Sequence, residues 1–436
     1  MAVGPLKLEV QTFEVDDVRF SPETRLSGHT LHVDRQAIVD LVSEDGHFRD
    51  VDLHLVRPGD DTRIINVLDV VEPRHKPSGP GLAFPGLLGP PVGVGSGRTD
   101  RLTNPVIAIC SEPMTDEPLY WRDSIMDMTG PASRYNLFRD NHVLVLHLKP
   151  RLLEQTDTRD SAALNSHAFG AGHVQDYNHA ARMAGFRVAE YLSKNASGTS
   201  ADKIDIYELS RTGAHLPKVV FACQIVLHRV YGEMLGWQPT LLHPNELFDG
   251  AVFNPYNPPA CGRETTYYFQ NHPVVKILYP LHNQEIDFAG VLLQRAQVLS
   301  QEDKDRTTDF SLKLLRMLGA EGLILTWSGS GNPGVDTMML AAKAEKAGIM
   351  TTVVNSEMSK HPGDTGITYF PPEADAVVCA GNYEEEIELP RIERVLGGAA
   401  LGAPETDARG PMSLSLRYLL GSTNVTGANH LSSVSY

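Results

Sequence analysis

The sequence has few cysteines, and no two of them lie close together. Cys110, Cys223, Cys261 and Cys379 are the four cysteines in 436 residues. Without a CxxC pair, the spacing excludes an iron–sulfur cluster or a zinc ribbon and leaves the chain without a redox pair of its own. Three of them stand in or beside the apolar runs VIAIC, VVFAC and AVVC, which predicts buried, reduced thiols. Cys261 alone has polar neighbours.

Long apolar runs and an excess of positive charge are also missing. No stretch of 18 or more apolar residues is present, which argues against a membrane helix. The opening segment MAVGPLKLEV lacks the apolar core of a secretion signal, so we expect a cytoplasmic protein. The chain has 38 Lys and Arg residues and 54 Asp and Glu residues, which gives a formal net charge of −16. Nucleic acid is therefore not an expected partner, because phosphate neutralisation needs clustered basic residues.

The histidines do not form a recognised metal-ligand motif. His167, His173 and His179 follow one another at six-residue intervals. Residues at that interval do not share a helix face, and no carboxylate completes a known ligand pattern. We therefore expect no metal site.

Hydrophobic periodicity predicts an α/β fold, with a small β-rich N-terminal unit followed by a mixed and largely parallel α/β sheet with flanking helices. Residues 8–73 alternate apolar and polar positions, and an apolar stripe predicts a helix from Gln175 to Asn195. From Lys203 onward, the expected strands are IDIYEL, KVVFACQIVL, FAGVLL, LILTW, MTTVVN and DAVVCA, and the expected helices are 301–318 and 335–348.

The length of the chain exceeds one ordinary hydrophobic core, so several domains are expected. The predicted division, in chain order, is a β-rich N-terminal unit, a Gly/Pro-loop and mixed α/β region, an α/β domain carrying the Cys261 loop, and an irregular tail: 1–75, 76–200, 201–395 and 396–436.

Two glycine-rich loops are candidate ligand contacts. In VGSGRT (94–99), glycine backbone N–H groups could face an anion, and Arg98 adds a forked donor suited to a carboxylate. A plain turn between strands explains this loop equally well. The loop at 329–334 resembles a dinucleotide fingerprint, but Asn332-Pro333 falls where the helix should already begin. We expect it to face the substrate at the carboxyl end of a strand, with Asn332 and Asp336 as polar contacts; a helix-capping role is the alternative.

The segment HPNELFDGAVFNPYNPPACGRETTYYFQNHP, residues 243–273, is the strongest functional candidate. Gly and Pro interrupt it too often for a regular helix, and loops on a rigid scaffold concentrate catalytic groups. A buried hairpin rich in turn residues is the alternative interpretation. The candidate nucleophile or catalytic groups are Cys261, Thr265, Thr266 and His272, and the candidate substrate contacts here are His243, Asn245, Glu246 and Arg263.

This segment resembles the substrate-binding proprotein of component B of glycine, sarcosine and betaine reductase, which has a similar LLHPNE…DGA…AC…TTY…QN(N/H)P pattern. Further similar pieces run in the same order over roughly residues 8–390. They include VDLHLVRPGDDTRI, SIMDMTGPASRY, ARMAGFRVAEYL, KLLRMLGAEGLIL and GNPGVDTMMLAAKAEKAGI.

The resemblance implies a subunit of a reductase complex acting on a small amine. Members of the family cleave before an internal cysteine and convert it to a pyruvoyl group, a ketone that withdraws electrons and weakens the substrate C–N bond. A thiol- or selenol-bearing partner subunit then supplies the nucleophile and electrons, so a hetero-oligomer is expected.

This chain departs from the family pattern inside the loop. The family has two cysteines there, and the earlier one, after an asparagine, is taken as the pyruvoyl precursor. Here Tyr256-Asn257 occupies the earlier position and only Cys261, after Ala260, remains. Either Cys261 is the precursor, or processing is lost. In the second case Cys261 acts as a thiolate nucleophile, or the chain is a small-molecule binding or assembly subunit.

Overall fold

The computed structural model describes most of the chain. The described residues are 6–112, 124–151, 172–196, 200–210, 215–226, 228–254, 264–297, 299–328, 331–359, 367–374, 376–402, 405–422 and 432–433. Cys261 and Arg263 lie outside these residues.

In the described part of residues 6–150, several strands alternate buried and more exposed side chains, as predicted for residues 8–73, and other strands are buried throughout. In β1, for example, Leu8 and Val10 are buried between more exposed neighbours. Helix α1 (Arg35–Ser43) follows the N-cap residue Asp34, whose side chain accepts from Ala37 N. The strands are β1 Lys7–Glu14, β2 Asp17–Phe20, β3 Arg25–Ser27, β4 Thr30–Val33, β5 Phe48–Val56, β6 Thr62–Ile64, β7 Val67–Val71, β8 Arg74–Ser78, β9 Gly97–Thr103, β10 Val106–Ser111, β11 Met126–Asp127 and β12 Val143–Pro150.

The remainder of the described chain alternates strands with helices. The strands are β13 Lys203–Glu208, β14 Lys218–Ile225, β15 Arg229–Val230, β16 Glu233–Met234, β17 Thr240–Leu242, β18 Val252–Phe253, β19 Asp287–Arg295, β20 Gly322–Trp327, β21 Met350–Glu357, β22 Val377–Asn382, β23 Glu386–Leu389, β24 Arg394–Leu396, β25 Ala400–Gly402, β26 Glu405–Asp407, β27 Met412–Ser415 and β28 Ser432–Ser433. The helices are α2 Gly172–Ala196, α3 Pro244–Phe248, α4 Thr266–Gln270, α5 Pro273–Leu281, α6 Gln301–Leu318 and α7 Asn332–Lys346. Two short 3-10 helices are Pro131–Tyr135 and Leu416–Tyr418.

Two four-stranded sheets and the long helix α2 build the N-terminal core. The sheet orders are β13-β1-β9-β8 and β5-β12-β10-β7. The predicted stripe on α2 is confirmed, since Tyr177, Ala181 and Leu192 are buried. Gly185 lets the helix approach β10 closely, because a Cβ there would lie 2.1 Å from the Ile109 Cδ1 atom.

The largest sheet in the described chain has the order β17-β19-β14-β20-β21-β22-β28. Its five central strands are parallel, as the sequence predicted. Alternate residues of β14 enter two different cores. One core contains α3, α4 and α5, and the other contains α6 and α7. The sheet is therefore covered by helices on both faces, which is the expected α/β arrangement.

Local signals fixed the bounds of α6. The Ser300 side chain accepts from Asp303 N at the start of the helix, and Gly319 adopts the left-handed conformation, with φ of 68°, at its end. The prediction of 301–318 is confirmed. Helix α7 begins earlier in the chain than the predicted helix 335–348, because a proline, here Pro333, is tolerated in the first turn of a helix.

The IDIYEL segment forms a strand, as expected, but not in the parallel sheet. It is β13, and it pairs antiparallel with β1. The β1 strand also pairs with β9, so one sheet combines strands from the first three predicted segments. Pairing across such distances depends on tertiary contacts that periodicity does not report.

A buried ion pair connects the N-terminal region to the C-terminal strands. Arg63 and Asp127 are 0% and 1% exposed, and the guanidinium donates two hydrogen bonds, of 2.7 and 2.8 Å, to the carboxylate. Arg63 also donates to the carbonyl oxygens of Ala408 (2.8 Å) and Pro390 (3.2 Å). These bonds fix the segment 390–410 against the N-terminal part of the fold.

Removal of this arginine should destabilise the fold. Arg63→Met leaves the buried Asp127 carboxylate without its partner, so we expect a loss of about 3–5 kcal/mol in the free energy of unfolding. Urea denaturation followed by circular dichroism measures this loss. The matched control is Arg19→Met, which removes an exposed pair with Asp17 and should cost about 0–1 kcal/mol. Equal losses in the two variants would show that the Arg63 pair is unimportant.

Candidate functional site

The order of the parallel strands gives the sheet a topological switch point between β14 and β20. If the five parallel strands are numbered by their order in the chain, they lie side by side in the sheet as second, first, third, fourth and fifth. The connections therefore change direction between β14 and β20, and ligands bind at such a switch point beyond the carboxyl ends of the strands. At this place Ser328 N donates to Gln224 O (3.0 Å), and the Gln224 side chain donates to Pro333 O (2.7 Å).

The two ends of the loop that contains Cys261 meet. The structure describes the chain up to Asn254 and again from Glu264. The Asn254 side chain donates to the Glu264 carbonyl oxygen over 2.7 Å. The buried Arg182 donates to the carbonyl oxygens of Asn254 and Leu68. The two described residues that flank positions 255–263, Asn254 and Glu264, are therefore hydrogen-bonded neighbours.

The buried Asp69 carboxylate holds the return of this loop. It accepts from the Thr266 backbone N–H (2.7 Å) and from the Thr266 hydroxyl (2.5 Å). Burial raises the pKa of Asp69 to about 6, while the Arg182 charge and the Thr266 bonds oppose the rise. Thr265 begins α4, and its side chain accepts from Tyr268 N (3.3 Å). In the described structure both threonines therefore use their hydroxyls to fix the chain.

Glu264 turns its carboxyl group into the protein, towards the switch point. The residue is 3% exposed, and burial raises its pKa to about 8, with a hydrogen bond to Ser328 opposing the rise. His228 lies opposite, with its Nε2 atom 3.8 Å from a Glu264 oxygen. Burial lowers the pKa of His228 to about 3, with Arg182 adding to the effect. Both groups are therefore neutral at pH 7.

His272, a predicted catalytic residue, is completely buried beside this pair. Its ring centroid is 4.6 Å from the rings of Phe221 and Tyr268. Burial lowers its pKa to about 3. Among the described residues, neither ring nitrogen of His272 or of His228 has a hydrogen-bond partner, and one Glu264 oxygen also lacks one. Such unsatisfied buried atoms are costly in a folded protein and are typical of functional sites.

Cys223, at the carboxyl end of β14, completes the group. Its thiol is buried, and burial raises its pKa, with the nearby Glu264 charge adding to the rise. We call Cys223, His228, Glu264, Tyr268 and His272 the switch-point cluster. At neutral pH it offers a carboxylic acid that can donate a proton and two neutral imidazoles that can accept one.

The upstream candidates are engaged in local structure. His243 and Glu246 form a reciprocal cap on α3, in which the His243 side chain accepts from Asn245 N and Glu246 accepts from His243 N. The Asn245 amide donates to the carbonyl oxygens of Gly95 (2.9 Å) and Tyr207 (3.1 Å). The structure does not bring these three residues into the switch-point cluster; as substrate contacts they remain predictions.

Arg98 and the VGSGRT loop bind carboxylates of the protein itself. Arg98 donates to both Asp100 oxygens, over 2.6 and 2.8 Å. The Gly95 N–H donates to Asp249 (2.8 Å), which also accepts from Lys76 (2.6 Å). The anion that the loop was expected to meet is thus an internal carboxylate in the described structure. A role for Arg98 with a substrate remains a prediction.

Asn332 and Asp336 lie at the start of α7, close to the carboxyl end of the parallel sheet. Asp336 is buried, and it accepts from Lys304 and from Gln297 N (2.6 Å). The Asn332 carbonyl oxygen also accepts from Lys304 (3.1 Å). These bonds connect α6 to α7. The helix-capping alternative is not what the structure shows, since Gly331 is the N-cap residue of α7; as substrate contacts, Asn332 and Asp336 remain predictions.

Sequence reasoning missed His228, Cys223 and Asp69 as members of the site. Cys223 and Asp69 stand in apolar runs that indicate only buried strands, and His228 has no motif around it. Cys110, Cys223 and Cys379 are buried and form no disulfide among the described residues, which agrees with the predicted buried, reduced thiols. Within the described ranges, no group of three His, Cys, Asp or Glu residues could hold a metal ion. No described helix is long and apolar enough to span a membrane.

Comparison with known proteins gives the family. Residues 6–433 match the family model of "Glycine/sarcosine/betaine reductase component B subunits". The chain is 29% identical to the "Glycine reductase complex component B subunits alpha and beta" of Acetoanaerobium sticklandii, over 99% of this chain and all of that protein.

Two relatives from Peptoclostridium acidaminophilum are similar to the same degree. The "Sarcosine reductase complex component B subunit alpha" is 30% identical over 99% of this chain and all of that protein. The "Betaine reductase complex component B subunit alpha" is 30% identical over 90% of this chain and 88% of that protein. No solved structure matches. With the family model spanning nearly every residue, the chain belongs to the glycine/sarcosine/betaine reductase component B subunits.

Proposed function

We propose that this chain is the substrate-binding subunit of a cytoplasmic reductase complex that cleaves a C–N or related carbon–heteroatom bond of a small amine. The reactive group is at Cys261, as a pyruvoyl group or a thiolate. A thiol- or selenol-bearing partner subunit supplies the nucleophile and electrons. The observation that carries this proposal is the switch-point cluster, because one of its members, Glu264, is only three positions beyond Cys261 in the sequence.

The sequence separation between Cys261 and the cluster is short. Glu264 is three positions beyond Cys261 in the sequence, and three residues of extended chain reach about 11 Å at most. The polar atoms without partners on Glu264, His228 and His272 suit a small polar group. A ketone at Cys261 would supply electron withdrawal from a bound amine.

The protonated Glu264 can donate a proton to the departing amine. Cleavage of a C–N bond produces an amine that must take up a proton, and a carboxylic acid that is neutral at pH 7 can donate it. The pKa of Glu264, raised to about 8 by burial, keeps the proton in place until then. The neutral His228 and His272 rings lie on the same side of β14 and can hold or relay a proton.

A second candidate function is an unprocessed binding or assembly subunit. The observation favouring it is Tyr256-Asn257 at the position of the earlier family cysteine. No asparagine or tyrosine supplies the attacking atom for self-cleavage before that position; only Ser, Thr or Cys does. Under this reading the switch-point cluster binds a small molecule without pyruvoyl chemistry.

The state of Cys261 decides between these functions. If Cys261 is the pyruvoyl precursor, the denatured protein separates into fragments 1–260 and 261–436, and the second carries a ketone that hydrazides label. Cys261→Ala stays whole, because alanine has no atom to attack the Ala260 carbonyl. Intact-mass spectrometry reports cleavage and loss of sulfur together. Cys379→Ala, which removes a buried thiol, is the control and should be processed normally.

An intact chain with four free thiols would exclude the pyruvoyl route. A single alkylation at Cys261 that abolishes activity of the complex would then support the thiolate. If Cys261→Ala left an active, unprocessed complex, both catalytic roles would fall and the binding or assembly function would take their place.

The proton on Glu264 should be visible in the pH dependence of stability. Its pKa in the folded protein is raised to about 8 from 4.5. The stability it contributes is therefore fully present below pH 4.5 and is lost as the pH rises through about 8. Relative to Glu264→Gln, the wild type should lose on the order of 2–4 kcal/mol between pH 5 and pH 9. Urea midpoints at both pH values test this.

The control for this measurement is Glu388→Gln, at an exposed position in β23. Its pH dependence should follow that of the wild type. Parallel pH profiles for the wild type and Glu264→Gln would mean that Glu264 is not a proton donor at neutral pH.

The partner requirement is tested by activity. The sequence has no CxxC pair, and the three described thiols are buried, so the isolated chain should show no turnover of glycine, sarcosine or betaine with a dithiol reductant. Addition of a thiol- or selenol-bearing reductase subunit should restore turnover. Turnover by the pure single chain would contradict the need for a partner.

A further inference from the structure

A cavity of about 330 Å³ opens beside the switch-point cluster, on the other side of Tyr268. Helices α4 and α5 form most of its wall. Its polar lining residues are Tyr267, Tyr268, Asn271 and Lys276, and Leu137 and Ile277 add apolar surface. A cavity of this size suits a small molecule that has both a polar and an apolar part.

Three cationic side chains converge at one point of the cavity wall. The Asn271 Oδ1 atom accepts from Lys276 Nζ (2.7 Å), Arg74 NH2 (3.2 Å) and Arg101 NH1 (3.2 Å). An amide oxygen orients these donors but carries no net charge, so it does not neutralise them.

One carboxylate lies among these cations. Glu72 contacts Arg74 over 2.5 Å and Arg101 over 3.8 Å. Arg74 and Glu72 are almost completely buried, and the Arg101 side chain is 17% exposed. Among the described residues, three positive charges therefore have one carboxylate in contact, and Asp205 acts on Lys276 from farther away, which leaves excess positive charge at the cavity wall.

Of the three cationic residues, Lys276 is the one that lines the cavity. Its side chain is exposed at the cavity mouth, whereas its ammonium nitrogen contacts the buried Asn271. Its pKa is lowered to about 8, first by packing around the ammonium group and then by Arg101 and Arg74, while Glu72 and Asp205 oppose the lowering. An anion in the cavity would relieve the repulsion among the cations.

We propose that this cavity binds a small molecule through an oxyanion group, with Lys276 as its direct contact and the Asn271 amide group and the two arginines behind it. Carboxylate and phosphate share the chemistry that this site recognises, since both accept charge-assisted hydrogen bonds. The apolar part of the ligand packs on Leu137 and Ile277. The proposal does not rest on the function proposed above, because binding is measured without turnover.

Calorimetric titration of the full chain at low ionic strength tests the proposal. The probes are butyrate, its neutral analogue butyramide, and inorganic phosphate. At least one of the two anions should bind saturably, and butyramide should not. Saturation by butyrate and not phosphate identifies a carboxylate site, and the reverse identifies a phosphate site. No saturable binding of either anion would overturn the proposal.

Proton uptake gives a second readout that needs no variant. Anion binding stabilises the charged form of Lys276 and raises its pKa, so at pH 8 the complex should take up part of a proton. Titrations in buffers of different ionisation enthalpy measure this uptake. Binding without proton uptake at pH 8 would contradict the role of Lys276.

Variants then locate the site. Lys276→Met keeps the length of the side chain but removes its charge, and it should weaken anion binding roughly tenfold or more and abolish the proton uptake. Lys276→Arg retains the charge and should retain binding. The matched control is Lys313→Met, on the exposed surface of α6, which should bind as the wild type does. Unchanged binding in Lys276→Met would place the anion elsewhere.

Discussion

The arrangement of the candidate site depends on one buried carboxylate, Asp69. Its desolvation would be costly without partners, and it meets this cost by accepting two hydrogen bonds from Thr266 at the start of α4. Arg182 from α2 supplies a compensating charge and also holds the carbonyl oxygen of Asn254. The N-terminal sheet, the long helix and both ends of the Cys261 loop are thereby fixed together.

This geometry explains why two buried carboxyl groups, those of Glu264 and Glu72, have pKa values shifted in opposite directions. Among the described residues, no cation contacts the buried Glu264, so burial dominates and raises its pKa. Glu72 is equally buried, but the charges of Arg74 and Arg101 outweigh burial and lower its pKa. One region therefore offers a neutral acid, and the other remains charged. Within the described residues, the two regions meet at Tyr268, which contacts His272 of the switch-point cluster and also lines the cavity.

The family assignment and the departure at position 257 are compatible. The chain matches the family over residues 6–433, and the parallel sheet, its helices and the closure between Asn254 and Glu264 do not depend on which residue stands at 257. A change at that position alters which atom could start self-cleavage. The scaffold can thus be retained whether the reactive group is a pyruvoyl group, a thiolate or neither.

The sequence alone determined the α/β class, the existence of the central strands and the bounds of α6. Helix caps and apolar periodicity involve residues that are near one another in the chain, so the sequence records them. It also indicated the Cys261 segment, since polar groups and turn residues are concentrated there. It could not assign Asn245 or Asp336 to their internal partners Gly95 and Gln297, which lie 150 and 39 positions away. Only the tertiary structure decided that β13 joins β1 and that His228, Cys223 and Glu264 meet. The physical reason is that burial and hydrogen-bond partners arise from packing between distant segments, which local pattern does not record.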